Sequence, residues 1–136
     1  MTRTGQCACG AVRFATDADP LWAGHCHCDS CRRASSAPFT SFFGVPRDSV
    51  VWTGTTAERE SSDGVTRGYC LSCGSQVFYQ NAIWPTETHL YAALLDDPNQ
   101  FQPQAHYHYA ERLPWLHASD DLPKYPGSAD TTDPLP

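Results

Sequence analysis

Seven cysteines stand in three tight clusters, Cys7-Ala8-Cys9, Cys26-His27-Cys28-Asp29-Ser30-Cys31 and Cys70-Leu71-Ser72-Cys73. Thiolates two or three residues apart can reach one ion without distorting the backbone, and tetrahedral Zn²⁺ typically draws two such pairs from distant parts of a chain. Seven divides as four plus three. Four sulfurs close a structural site, whereas three leave one coordination position for water or a substrate, as catalytic zinc requires.

Spacing suggests how the sulfurs are shared. Cys70 and Cys73, followed by Gly74, have the form of a zinc knuckle, in which glycine permits the positive φ that turns backbone amides toward the sulfurs. Cys7 and Cys9, followed by Gly10, form the other isolated pair, and Cys26, Cys28 and Cys31 lie close enough to hold an ion by themselves. The economical grouping is Cys7, Cys9, Cys70 and Cys73 on one Zn²⁺ and Cys26, Cys28 and Cys31 on a second. A plainer alternative keeps one zinc and buries the remaining thiols as small apolar residues. The hydrophilic surroundings of Cys26 to Cys31, from His25 to Arg33, make poor core material. His25 or His27 offers a fourth ligand, but in an extended run alternate side chains face opposite ways, which turns both from Cys26 and Cys28. A rubredoxin-like iron site would use two CxxC pairs, and Cys7-Ala8-Cys9 is not one.

Zn²⁺ held by three thiolates is electron-rich and polarises water weakly. It still favours ionisation of an incoming thiol, whose free pKa of about 8.5 leaves it mostly protonated at neutral pH. Thiol activation is thus favoured over hydrolysis. Arg32 and Arg33 follow the cluster directly, and a guanidinium matches a carboxylate in bidentate fashion. Phe39 lies just beyond and is a candidate pocket wall. His106 and His108, at alternate positions between tyrosines, read as a polar edge with an aromatic packing face.

The elements that must position these groups are short. Eleven prolines and nine glycines among 136 residues disfavour long helices. Ala11–Thr16, Leu21–His25, Phe39–Phe43, Val50–Thr53, Val65–Tyr69, Gln76–Gln80 and Thr88–Leu94 read as strands from alternation and β-propensity. Asp29–Ala34 reads as one helical turn capped by Asp29 or Ser30, and Asp96–Asn99 as a turn. The expected fold is all-β and mainly antiparallel, with short helical turns. One domain over residues 1–126 is expected, followed by a disordered tail over 127–136, rich in Pro, Gly and Asp.

The net charge of −6 and the lack of a basic run argue against nucleic-acid binding. No apolar leader precedes the first cluster, and no stretch of about 18 apolar residues is present, so a cytoplasmic protein without membrane attachment is expected. An odd number of cysteines in CxC and CxxC spacing also fits metal in a reducing compartment better than disulfides.

Gly5-x-Cys7-x-Cys9-Gly10-x-Val12-Arg13-Phe14, Cys26-His27-Cys28-x-x-Cys31-Arg32-Arg33, Tyr69-Cys70-x-x-Cys73-Gly74-Ser75 and Leu95-Asp96-Asp97-Pro98 together resemble the glutathione-dependent formaldehyde-activating enzyme family, shared by centromere protein V. The resemblance runs from Gly5 to about Tyr125. It implies a β-tent of sheets around a structural zinc with four cysteine ligands, with Cys26, Cys28 and Cys31 holding a catalytic zinc, two Zn²⁺ per chain in all. It also implies a carbon–sulfur lyase type of reaction, the reversible addition of glutathione or a similar thiol to formaldehyde or another small aldehyde. A non-catalytic zinc module for a protein partner or thiol metabolite is the rival that centromere protein V suggests. Family members commonly place glycine soon after the Cys-Arg-Arg element, where this chain reads Ala34-Ser35-Ser36-Ala37-Pro38. That departure bears on the substrate more than on the metal.

Overall fold

The computed structural model describes residues 1–136. Ten strands, one short α-helix and several 3₁₀ turns make an all-β, mainly antiparallel protein, in keeping with the alternation and turn residues of the sequence. The chain divides into two compact units, Met1–Trp22 with Phe43–Phe101, and Ala23–Phe42 with Gln102–Pro136. Each unit is assembled from two separate stretches of chain. No shift in composition therefore marks a boundary along the sequence.

In the first unit β1 (Arg3–Gln6), β2 (Arg13–Thr16) and β5 (Val50–Thr53) form a three-stranded antiparallel sheet in that order, with Gly5 opposite Phe14 and Phe14 opposite Trp52. A meander of β6 (Ala57–Ser62), β7 (Val65–Tyr69), β8 (Gln76–Asn81) and β9 (Glu87–Tyr91) makes the second sheet of that unit, each strand antiparallel to the next. Val77, Leu90 and Val65 are buried along with Phe78, Phe14 and Phe43. Phe14 meets Trp52 edge-on with ring centroids 6.0 Å apart, and Trp52 packs on Phe78 at 5.5 Å. Such pairs add about 0.5–1.5 kcal/mol beyond the area they bury.

β6 is absent from the expected strands, because Ala57-Glu58-Arg59-Glu60-Ser61-Ser62 is polar and largely exposed. It is an edge strand, and charge on an edge discourages pairing with other chains. β1 is likewise short and polar. β9 stops at Tyr91, and Ala92–Leu94 forms a 3₁₀ turn instead of extending the strand.

The second unit is built from β3 (Trp22–Cys26, from Ala23 onward), α1 (Asp29–Ser35), the start of β4 (Thr40–Pro46) and β10 (Ala105–Tyr107). β10 pairs with β3 in parallel, His106 opposite His25 and Tyr107 opposite Cys26. This parallel pair stands within a mainly antiparallel fold, and the long intervening chain makes it possible. Residues 127–136, read from composition as a disordered tail, make backbone hydrogen bonds here. Gly127 O accepts from His108 N at 2.9 Å and Leu135 N donates to Lys124 O at 2.7 Å. No helix is long and apolar enough to cross a membrane.

Candidate metal centres

The seven thiols gather into two groups, Cys7 with Cys9, Cys70 and Cys73, and Cys26 with Cys28 and Cys31, the sulfurs of each group lying within 4.8 Å of one another. The first belongs wholly to the first unit and the second wholly to the second.

Two tight turns deliver the four sulfurs. Gly10 and Gly74 both have positive φ, 78° and 79°, which a side chain would resist. Each turn closes with a backbone bond, Gly10 N to Cys7 O at 3.1 Å and Gly74 N to Cys70 O at 2.7 Å. Cys7 and Cys70 are buried against Val12 and Val77, so this group is continuous with the core, while Cys9 and Cys73 are exposed. Cys7 Sγ lies 3.7 Å from Cys9 Sγ, and Cys9 Sγ lies 3.7 Å from Cys70 Sγ. A tetrahedron with Zn–S bonds of about 2.3 Å has S···S edges of about 3.8 Å, so the cage fits the ion.

Donors to sulfur surround the cage. Val12 N donates to Cys7 Sγ at 3.3 Å, and the Ser75 hydroxyl lies 3.2 Å from Cys73 Sγ. The Ser75 hydroxyl, followed by the Ser75 and Cys9 amides, draws the Cys73 thiol down to about 5. Cys9 is pushed up to about 11: the Ala11 amide acts downward, but the Cys7 bond, with some desolvation and the Cys70 and Cys73 sulfurs, outweighs it. Like charge at this spacing opposes ionising all four thiols together, and a cation among them would offset that repulsion.

In the second unit Cys26 ends β3, Cys28 caps α1 and Cys31 lies in its first turn. The cap is a sulfur. Cys28 Sγ accepts from Cys31 N at 3.2 Å, replacing the oxygen cap expected of Asp29 or Ser30. Asp29 instead sits in the first turn, where its charge complements the helix dipole, and pairs with Arg33 at 3.0 Å. The Cys26 thiol is pushed well above its usual range, first by its bond to Cys28, then by Cys31 and burial. At Cys28 the bond to Cys26 acts downward, yet Cys31 and burial push the thiol up to about 11. Three thiols so close fit a cation that would let all of them ionise. No histidine nitrogen joins either group.

α1 ends at Ser36, whose φ of 56° is left-handed. This is the stretch where the resemblance leads one to expect glycine. Serine holds the conformation at a cost of about 1–2 kcal/mol relative to an unstrained residue. Arg32 is turned inward and only 16% exposed; its Nε donates to His27 O at 3.2 Å and its Nη2 to Glu111 O and Asp29 Oδ1, both at 3.3 Å. Arg33 is 78% exposed. A groove of about 510 Å³ runs beside the helix, lined by Arg32, Arg33, Ser36, Pro38, Leu113 and Trp115 among others. Phe39 is outside that lining and packs against His25 and His27, with ring centroids 5.0 and 5.4 Å away.

Spacing alone did not reveal a buried polar chain behind Cys26 and Cys28. His27 is fully buried, its Nε2 lies 2.8 Å from His106 Nδ1, and His106 Nε2 lies 2.9 Å from the Asp120 carboxylate. Burial first, then the His106 ring, draws the His27 pKa down to about 4. Asp120 is lowered chiefly by its bond to His106. His108 does not share the His106 face, because its φ of 53° breaks the strand there.

Comparison with known proteins accords with this architecture. Residues 2–111 match the family model described as glutathione-dependent formaldehyde-activating enzyme. A Halomonas elongata protein assigned by name to that enzyme is 28% identical over 126 residues, covering 85% of this chain and 80% of its own length. An uncharacterised lyase of Schizosaccharomyces pombe is 28% identical over 75 residues, 55% of each chain. The crystal structure of a Rhodobacter sphaeroides protein shares the fold, with a TM-score of 0.58 over 71% of this chain and 92% of that one at 21% identity. With the family model matched across most of its length, this chain belongs to the glutathione-dependent formaldehyde-activating enzyme family.

Proposed function

We propose that the protein is a zinc-dependent carbon–sulfur lyase that adds a glutathione-like thiol reversibly to formaldehyde or another small aldehyde. The observation that carries this reading is the unequal division of thiols, four in one cage and three in the other. Cys7, Cys9, Cys70 and Cys73 would hold a structural ion, two of these sulfurs being embedded in the core. Cys26, Cys28 and Cys31 would hold the reactive one, which when bound supplies a Lewis-acidic position that favours loss of the thiol proton.

The net reaction forms one C–S bond. The carbonyl π pair moves onto oxygen, which takes up the proton the thiol gives up, so no electrons enter or leave and no redox partner is needed. The chain contributes binding and orientation. Arg33 carries an exposed guanidinium at the groove, suited to a carboxylate of a peptide thiol. Arg32 lines the same groove while bracing the His27 carbonyl, and Phe39 shields the histidines behind the thiols. All seven cysteines are free, which supports a reducing, cytoplasmic setting.

The test combines metal analysis with turnover. Wild-type protein should bind two Zn²⁺ and speed adduct formation between glutathione and ¹³C-formaldehyde, followed by NMR. Cys28→Ser should lower the metal content to one and abolish the acceleration. Unchanged metal content and activity in that variant would defeat the proposal. Two bound ions with no acceleration in wild type would favour the non-catalytic module.

A further inference from the structure

His27 lies between Cys26 and Cys28, and three separate contacts hold it. Its N–H donates to Tyr107 O at 3.0 Å, its carbonyl accepts from Arg32 Nε at 3.2 Å, and its ring is bonded to His106. Phe39 and Tyr109 flank the ring at 5.4 and 5.0 Å, leaving it no exposed surface. His106 is held as firmly, its backbone bonded to Pro123 O and Tyr125 N, both at 2.8 Å.

Hydrogen-bond polarity along this chain follows from its outer end. An ionised carboxylate only accepts, so the Asp120 oxygens, 2.9 and 3.1 Å away, require a proton on His106 Nε2. In a neutral ring His106 Nδ1 is then bare and accepts from His27 Nε2. His27 Nδ1 is left without a proton, and it is buried with no partner. Asp120 is itself fixed by the Leu122 amide at 3.0 Å and by Lys124.

We propose that Asp120 is a positioning residue which acts through His106 and His27, selecting one tautomer of both rings and thereby setting the conformation of the segment that presents Cys26 and Cys28. The residue between two thiols is thus controlled from a loop far along the chain. Metal sites are commonly tuned by such outer partners, whose loss costs about 10–100-fold in affinity. The inference rests on the proposed three-thiol metal site for one of its two readouts only.

The first readout needs no metal. Long-range ¹H–¹⁵N spectra of the full chain at pH 8 should show His27 and His106 both protonated at Nε2. Asp120→Ala should give His106 mixed tautomers, and Asp120→Asn, whose side-chain oxygen still accepts, should restore the wild-type pattern. The second readout is cobalt titration. Asp120→Ala should weaken the second equivalent about tenfold or more and alter its sulfur-to-cobalt absorption, leaving the first equivalent unchanged. Wild-type His106 protonated at Nδ1, or Asp120→Ala matching wild type in the tautomer spectra, would overturn the inference. A shifted tautomer with unchanged cobalt binding would overturn the link to the thiols. If wild type takes no second cobalt, the metal assignment fails, and the tautomers alone decide the histidine chain. Should Asp120→Ala not fold, Nδ1-protonated His106 in wild type or Asp120→Asn overturns it equally.

Discussion

Arg32 and Arg33 are adjacent and identical in type, yet the structure gives them different tasks, and truncating each to alanine separates the two. Arg32→Ala removes three bonds of 3.2–3.3 Å from a side chain that is 16% exposed. These distances sit at the long end of the N–H···O range, so about 1 kcal/mol for each of the two carbonyls is appropriate. The half-exposed Asp29 pair adds about 0.5 kcal/mol. The sum is about 2.5 kcal/mol. With about 2.1 cal/mol/K of unfolding entropy per residue over 136 residues, this lowers Tm by about 9 °C. Arg33→Ala removes an exposed ion pair with Asp29, about 0.5 kcal/mol at most, and should move Tm by under about 2 °C. Its effect should fall on recognition. Loss of a bidentate carboxylate contact should weaken apparent glutathione affinity about tenfold. Thermal unfolding of the zinc-loaded variants and calorimetric titration with glutathione check both halves. Arg32→Ala as stable as wild type, or Arg33→Ala with wild-type affinity, would refute the division of labour.

Three further outcomes are expected. Gly74→Ala should destabilise by about 1–2 kcal/mol, because its φ of 79° resists a side chain, although no atom within 4 Å would meet the new methyl; urea unfolding measures it. Ser36→Gly should stabilise by about 0.5 kcal/mol, the relief of a left-handed serine offset by the greater unfolded freedom of glycine, read from the same transition. Cys70→Ser should lower metal content from two ions to one and leave the first unit prone to proteolysis, since that residue is 1% exposed within the core; mass spectrometry of limited digests reports it.

Much of the molecule could be read from residue types because local rules and tertiary environment agree there. The β-rich runs Val65–Tyr69 and Gln76–Gln80 coincide with β7 and, to within one residue, β8, and the sulfurs grouped by spacing are the sulfurs that the structure gathers. Legibility failed where a residue's role depends on something distant. β6 carries no apolar alternation because it is an exposed edge. The cap of α1 is Cys28, a residue type outside the usual capping set, chosen by the thiol cluster and not by propensity. Asp120 is one of two adjacent carboxylates in its loop, and only the folding of β10 against β3 brings His106 between it and His27. The two units stay hidden for the same reason, each being closed by contacts remote in sequence.

The central claim is that the three-thiol group holds an ion able to accept a thiol from outside the chain. Cobalt-substituted protein titrated with glutathione tests it most directly, by absorption in the sulfur-to-cobalt region. The account predicts a saturable rise from a fourth sulfur at one of two ions, lost in Cys28→Ser and retained in wild type after the aldehyde is omitted. A spectrum unmoved by saturating glutathione, or a chain that binds cobalt only at Cys7, Cys9, Cys70 and Cys73, would contradict it.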